Sequence, residues 1–363
     1  MILSSKTVVP YLVEKGVISA NSAVDGDVRV LETLRRNRSF KIFRAESPGL
    51  FVKQVQTWSS PAATALRREA VCYWMAAKDD VFAPLAEVAP KYEFYDPVNS
   101  ALVTGLLSSA ENISENHRRL GQFPTRTGTA LGQTLRRYHA LTPEVEKSAY
   151  AVMFSKVQPW ILSVQNQAFP AFNELSAGNS QLIAVMRQYP DFQRHLDGLR
   201  EGWRVDSFIH GDMKWDNCLV ENSAKDPGKV HLRVVDWELS DLGDGAWDVG
   251  AIFQAYVSAW ILSIPFPVEM PVDLTLRALY PLESMQPALG AFWRAYWNGA
   301  GVDSGRAAFL DRSVKYAAVR MIQTVYEHMY QSAQLTRSTL ALLQVSLNML
   351  NRPAEAREEL LGL

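Results

Sequence analysis

The 363-residue sequence predicts an α+β chain whose strands come first and whose helices follow. Three observations predict it. Three runs of alternating apolar and polar residues, joined by turn sequences, fill residues 28–56. From about Ser108 the apolar spacing changes from two to the helical three and four. Hydrophobic residues make up 48% of the chain and charged residues 21%, a mix that supports a sizeable core and excludes disordered and fibrous classes.

The strands read in order. Val28–Leu34 (VRVLETL) alternates and ends in the polar turn RRNRS. Phe40–Ala45 alternates again and stops at Glu46-Ser47-Pro48-Gly49, a Pro/Gly turn. Leu50–Gln56 is the third strand, and short turns between the three predict an antiparallel meander. A helix from Pro61 to Lys78 follows, with Leu66, Ala70, Tyr73 and Trp74 at helical spacing. Tyr92–Tyr95 and Ala101–Leu107 are two more strands around the turn Asp96-Pro97-Val98-Asn99-Ser100. Residues 1–107 thus form one part and 108–363 the other. Leu131, Leu135 and Tyr138 mark a helix ending near His139, and Ser148–Arg204 carries several amphipathic segments. Strands return at Ser207–Ile209, Cys218–Val220 and Val230–Val235, the last two separated by a polar loop. The chain is helical again after Trp247.

Charge and cysteine content narrow the function. Lys+Arg 37 against Asp+Glu 38 gives a net charge of −1, with no bulk attraction to nucleic acid or to an anionic membrane. The longest apolar stretch, Gly250 to Val268, is broken by Gln254, Ser258, Ser263, Pro265 and Pro267, so it reads as a buried helix and not a span. Cys72 and Cys218 make neither a disulfide framework nor a metal spacing. Cys218 reads as a small buried hydrophobe. No signal peptide is legible at the N-terminus, so the expected compartment is the cytoplasm.

The chemistry gathers in three places. Lys53 sits inside the third strand. His210-Gly211-Asp212-Met213-Lys214-Trp215-Asp216-Asn217 follows a short apolar strand. Val234-Val235-Asp236-Trp237-Glu238 closes another. A carboxylate at the mouth of a tight loop, Asp212, can accept a proton from an attacking hydroxyl. Asn217, five residues on, and Asp236 offer oxygen ligands of the kind that suit Mg²⁺. That is equipment for phosphoryl transfer, which works by positioning and charge neutralisation. Lys53 would complete it by pairing with nucleotide phosphates. Plainer readings stand beside these: Lys53 as a solvated strand lysine, Glu69 as a helix surface charge paired with an arginine, Lys214 as a solvated loop charge. Glu238 reads equally as a metal contact or a solvent-facing residue.

His210-Gly211-Asp212-x-x-x-x-Asn217 with Val235-Asp236-Trp237-Glu238 resembles the signature of the aminoglycoside phosphotransferase and choline kinase superfamily, relatives of eukaryotic protein kinases. Gly243-Asp244-Gly245-Ala246-Trp247-Asp248-Val249-Gly250 resembles that family's next motif. The resemblance covers nearly the whole chain and implies a bilobal protein-kinase-like fold, with an antiparallel-sheet nucleotide-binding N-lobe and a mostly helical C-lobe. It implies ATP as co-substrate and Mg²⁺ as cofactor. Position by position it makes Asp212 the catalytic base, Asn217 and Asp236 the metal ligands, Lys53 the lysine on the α/β-phosphates and Glu69 its helix partner. His210 and Asp248 would brace the catalytic loop, and the backbone near Thr104 and Leu106 would meet the adenine.

Two features depart from the pattern. The turn Arg35-Arg36-Asn37-Arg38-Ser39 lies where kinases carry a glycine-rich phosphate loop, yet it has no glycine; Ser39 and backbone N–H groups would serve there instead. Lys214 resembles the catalytic-loop lysine of protein kinases, which neutralises the transferring phosphoryl group. The resemblance of HGDMKWDNCLV to kinase-like proteins of lanthipeptide and thioamitide pathways implies a Ser/Thr hydroxyl of a precursor peptide as acceptor, with a lyase as partner. The alternative acceptor is a small molecule: an aminoglycoside, another antibiotic, choline or a sugar. A nucleotide-binding pseudokinase is a third reading, and the presence of Asp212, Asn217 and Asp236 argues against it.

Overall fold

The computed structural model describes residues 1–24, 26–34, 37–55, 61–166, 175–221, 230–265, 277–298 and 304–363. Its strands are β1 (Val28–Leu34), β2 (Arg38–Arg44), β3 (Leu50–Gln54), β4 (Tyr92–Asp96), β5 (Ala101–Gly105), β6 (Ala110–Asn112), β7 (Ser207–Ile209), β8 (Cys218–Glu221), β9 (His231–Val234) and β10 (Asp241–Gly243). Its helices are α1 (Val8–Glu14), α2 (Ala20–Val24), α3 (Pro61–Lys78), α4 (Ala83–Ala86), α5 (Ile113–Leu120), α6 (Thr125–His139), α7 (Thr142–Lys147), α8 (Ala177–Gln188), α9 (Pro190–Glu201), α10 (Gly245–Leu262), α11 (Leu282–Trp297), α12 (Ser304–His328) and α13 (Arg337–Asn351). The chain makes two compact units. One comprises residues 1–113, 143–154 and 216–240; the other comprises 114–142, 155–215 and 241–363. An antiparallel sheet near the N-terminus and a mostly helical remainder give the α+β class that the sequence predicts.

In the first unit, five strands form a sheet in the order β1-β2-β3-β5-β4, every neighbouring pair antiparallel. The meander β1–β3 follows the alternation of its residues. The turn between β1 and β2 is shorter than the sequence suggests, because Arg38 and Ser39 enter the ladder opposite Gln54 and Lys53. Arg38 is not a turn charge: its guanidinium donates to the Leu3 carbonyl at 2.8 Å and lies 3.5 Å from Glu32. Arg35 and Arg36, and Gln56 at the predicted end of the third strand, lie outside the described residues.

Helix α1, not foreseen from the sequence, packs Val8, Tyr11 and Leu12 on Phe40, Ile42, Leu50, Val52 and Val103 of the sheet. Each of these is at most 2% exposed, and full burial of such a side chain stabilises by about 1.5–3 kcal/mol. Val52 faces α1, so Lys53, the next residue on a pleated strand, faces the other way. It too is buried. Helix α3 has the predicted bounds and begins with proline, whose fixed φ suits the first helical position. Its buried stripe Leu66, Glu69, Ala70 and Tyr73 keeps the i, i+3, i+4, i+7 spacing. A second sheet, β6-β8-β9, carries the β8–β9 hairpin. The hairpin is tied down where Arg233 donates to the Glu87 carbonyl at 2.8 Å and the Val234 N–H donates to the Val88 carbonyl at 2.6 Å. The loop 222–229 between β8 and β9 lies outside the described residues.

In the second unit β7 pairs with β10, placing Ile209 opposite Asp241. Helices surround this ladder. Gly128 and Gly132, one turn apart on α6, let α11 come close: a Cβ on either would stand 2.1 or 2.3 Å from the backbone oxygens of Ala288 and Phe292. Glycine costs a helix about 1 kcal/mol relative to alanine, and here close helix packing offsets it. Among the described residues no helix is long and apolar enough to cross a membrane.

His117 on α5 is packed entirely in rings. Its centroid lies 4.8 Å from Phe123, 4.7 Å from Trp215 and 6.0 Å from Tyr256. It is 2% exposed and neither ring nitrogen has a hydrogen-bond partner. Burial pushes its pKa down to about 4. A base whose folded-state value lies below its unfolded value of ~6.5 is protonated first in the unfolded chain. The stability it permits is therefore complete above about pH 6.5 and is lost as pH falls toward 4. At about 1.4 kcal/mol per pH unit the loss amounts to about 3 kcal/mol. His117→Phe should remove that part of the slope. Denaturant unfolding at pH 7.5 and pH 4.5 measures it, and equal acid losses in both proteins would contradict this reading.

Candidate active site

In the first unit, Lys53 lies at the centre of a carboxylate cluster. Its ammonium donates to Glu69 Oε2 at 2.8 Å, to Glu238 Oε2 at 2.9 Å and to Asp236 Oδ1 at 2.5 Å. Strand β3 supplies the lysine, α3 supplies Glu69, and the turn after β9 supplies the other two acids. Burial works against the lysine charge, but Glu69, Asp236 and Glu238 more than offset it, so Lys53 stays protonated well above the usual range. Burial also pushes the Glu69 carboxyl upward, and the Lys53 charge opposes that rise. Ser39 stands directly across the ladder from Lys53, so both side chains project from one face.

Carboxylate oxygens of Glu69, Asp236 and Glu238 all lie within 4.8 Å of one another. Three carboxylates against one ammonium leave two formal negative charges. Hard oxygen donors with that excess charge fit Mg²⁺. Asp236, with 35% of its side chain accessible, is the most open of the three, against 5% for Glu69 and 14% for Glu238. Asp236 sits in the left-handed backbone region at φ 68° and ψ 53°, which costs a non-glycine residue of order 1 kcal/mol. Asn217 precedes β8 as Asp236 follows β9, and the ladder sets Cys218 opposite Val234. The Val235 N–H donates to the Asn217 carbonyl at 2.9 Å, closing the hairpin end beside Asp236.

The second unit holds the loop after β7. Gly211 turns it at φ +80°, a conformation that side chains other than glycine resist. Asp248, fully buried on α10, anchors the loop by accepting the His210 N–H at 2.7 Å and the Gly211 N–H at 3.1 Å. Tyr138 donates to the same carboxylate at 2.7 Å and His139 lies 3.4 Å from it. The Trp247 indole donates to the Gly211 carbonyl at 2.9 Å. Asp212 is then gripped from both sides: Lys214 donates to Oδ2 at 2.6 Å and Arg320 to Oδ1 at 3.2 Å. Burial would raise its carboxyl, but the Arg320 and Lys214 charges bring it below the usual range. The carboxylate is thus ionised at neutral pH and can accept a proton.

Thr104 is buried in β5 opposite Phe51, while the Leu106 N–H donates to the Gly49 carbonyl at 2.8 Å and the Gly105 N–H to the Lys91 carbonyl at 2.7 Å. A purine edge meeting this segment would be read by other backbone groups. Glu238 points at Lys53 and not at solvent. Both cysteines are buried thiols; burial pushes Cys72 up to about 12. Sequence reasoning missed two contacts. Tyr73 read only as part of an apolar stripe, although it falls four residues after Glu69 on the same helix face. Arg320 had a fainter signal: a single charge within the apolar run from Tyr316 to Ile322.

An antiparallel sheet followed by a mostly helical remainder is the architecture of the kinase-like phosphotransferases. The chain belongs to the phosphotransferase enzyme family, whose model matches residues 34–282. Its reaction class is phosphate transfer to an alcohol. The streptomycin–ATP ternary complex of APH(2″)-IIa is similar to this chain, with a TM-score of 0.51 and 10% identity, covering 96% of this chain and 99% of that one. A GDP complex of an aminoglycoside 2′-phosphotransferase-IIIa mutant gives 0.50 and 12%, covering 98% and 99%. A choline/ethanolamine kinase family protein from Mesorhizobium loti gives 0.48 and 16%, covering 95% and 94%. At these identities the likeness is one of fold. No curated protein matches the chain.

Proposed function

We propose that the protein is an ATP- and Mg²⁺-dependent kinase that phosphorylates a hydroxyl of a small molecule in the cytoplasm. The observation that carries this reading is Asp212, fixed as an ionised carboxylate by Lys214 and Arg320 within a chain of the phosphotransferase family. The aminoglycoside kinases of similar fold support a small-molecule acceptor.

Residues 1–107 supply the nucleotide-binding lobe in this reading, and 108–363 supply the catalytic loop, the metal ligands and the acceptor site. Lys53, oriented by Glu69, pairs with the α/β-phosphates, and Ser39 reaches phosphate from the same sheet face. The segment from Thr104 to Leu106 passes the adenine. Asn217 and Asp236 would hold Mg²⁺. The bound cation supplies charge neutralisation on the phosphate oxygens. Asp212 accepts the proton of the acceptor hydroxyl, and Lys214 offsets charge growing on the transferring group, an interaction stronger in the transition state than before it.

Lys214 also favours a second reading. A lysine 2.6 Å from the base resembles the protein kinase loop, so a Ser/Thr peptide of a lanthipeptide- or thioamitide-type pathway, with its lyase, is the other acceptor. Incubation with Mg²⁺-ATP and either a panel of aminoglycosides, macrolides, choline and sugars or Ser/Thr precursor peptides, followed by mass spectrometry, separates the two. A phosphate increment on a small molecule is expected. Increments on peptides alone would transfer the assignment to the second reading, and ATP binding without any transfer would favour the pseudokinase.

A further inference from the structure

Tyr73 has no place in the phosphotransferase motifs, yet it touches the site from α3 at two points. Its ring is buried, 2% exposed. Its hydroxyl donates to Glu69 Oε1 at 3.0 Å. The Tyr73 hydroxyl oxygen in turn accepts the backbone N–H of Asp236 at 3.2 Å. Glu69 therefore divides its carboxylate, with Oε1 bound to the tyrosine and Oε2 to Lys53. The Asp236 N–H, in a left-handed residue outside any ladder, finds its acceptor on a helix side chain. Phenylalanine in the same space would leave that N–H without its phenolic acceptor and Glu69 Oε1 without its donor.

We infer that Tyr73 is a positioning residue for the metal-binding turn: its single hydroxyl couples the Lys53–Glu69 pair to the backbone that sets the direction of the Asp236 carboxylate. The inference rests on the assignment of Asp236 as a metal ligand in the proposed kinase. Its physical content is that one oxygen, as donor and acceptor, fixes two parts of the site at once. When helix and turn are coupled in this way, the carboxylate is pre-oriented and less binding energy goes into ordering it. Tyr73 needs no contact with the nucleotide for this. Its loss should therefore appear in the cation dependence and not in the affinity for nucleotide alone.

The test uses Tyr73→Phe, which removes one oxygen and keeps the ring. Titration calorimetry with a non-hydrolysable ATP analogue, with and without Mg²⁺, gives the first readout. The Mg²⁺ concentration for half-maximal binding should rise about tenfold, while the Mg²⁺-free affinity stays within about twofold. Hydrogen exchange gives the second and needs no ligand: the Asp236 amide should exchange at least about tenfold faster in the variant, with amides of the β1–β5 sheet unchanged. An unchanged Mg²⁺ dependence would overturn the inference, as would parallel losses of nucleotide affinity, cation affinity and melting temperature, which mark a merely structural tyrosine. Rapid exchange of the Asp236 amide in the wild-type protein would overturn it as well, even if the variant failed to fold. Wild-type protein that binds no Mg²⁺-nucleotide would instead remove the kinase reading itself, a result recognisable before any variant is made.

Discussion

Asp212→Asn is expected to lose phosphoryl transfer by about 10²–10⁴-fold, the usual contribution of a positioned general base, while retaining Mg²⁺-nucleotide binding. The substitution keeps shape but cannot take up the hydroxyl proton. It also removes the charge that Lys214 and Arg320 hold at 2.6 and 3.2 Å. Arg320 keeps its contacts with the Met213 carbonyl and Gln323, so the fold should survive with a lowered melting temperature. The loss should fall on kcat, because the proton moves only in the chemical step. Equilibrium nucleotide binding and steady-state kinetics on the same preparations separate the two effects. A variant with nearly unchanged kcat would remove Asp212 from the base role.

Lys53→Ala is the second large effect, and it acts on stability and activity together. The ammonium is the shared counter-charge of Glu69, Asp236 and Glu238. Removing one partner of a buried ion pair typically costs ~3–5 kcal/mol, because the other charge stays behind unpaired. A charge-assisted contact to phosphate is worth about 1.5–3 kcal/mol, so kcat/KM should fall about tenfold to a hundredfold beyond any loss of folded protein. Lys53→Ala combined with Glu69→Gln separates the contributions. The double variant should regain part of the stability, since the most deeply buried of the three carboxylates is no longer stranded, and none of the activity. Denaturant unfolding of both variants beside their kinetics measures this. Recovery of activity with stability would mean that Lys53 only balances charge.

Much of this was legible in the sequence because its signals are local. Alternation over two residues marked the β1–β3 meander, helical spacing gave α3 its bounds, and H-G-D-x-x-x-x-N set the loop that Gly211 turns at positive φ. What escaped depends on contacts far apart in the chain. Helix α1 is seven residues long with a proline inside it, too short to hold itself without the sheet it covers. Arg320 meets Asp212 across 108 residues, and Tyr73 meets Asp236 across 163. Neither separation leaves a periodic trace, and in a helical pattern Tyr73 counts as apolar because its hydroxyl function depends on what stands opposite.

Release of ADP tests the central claim most directly. Wild-type protein and Asp212→Asn are incubated side by side with ATP, Mg²⁺ and the acceptor that gains phosphate in the mass assay, and ADP is followed by a coupled enzyme reaction. The wild type should release ADP in step with phosphorylated product, only when Mg²⁺ is present, and the variant should fall to about 1% of that rate or below. ADP release that is independent of Mg²⁺, or equal in the two proteins, would contradict a kinase in which Asp212 takes the acceptor proton.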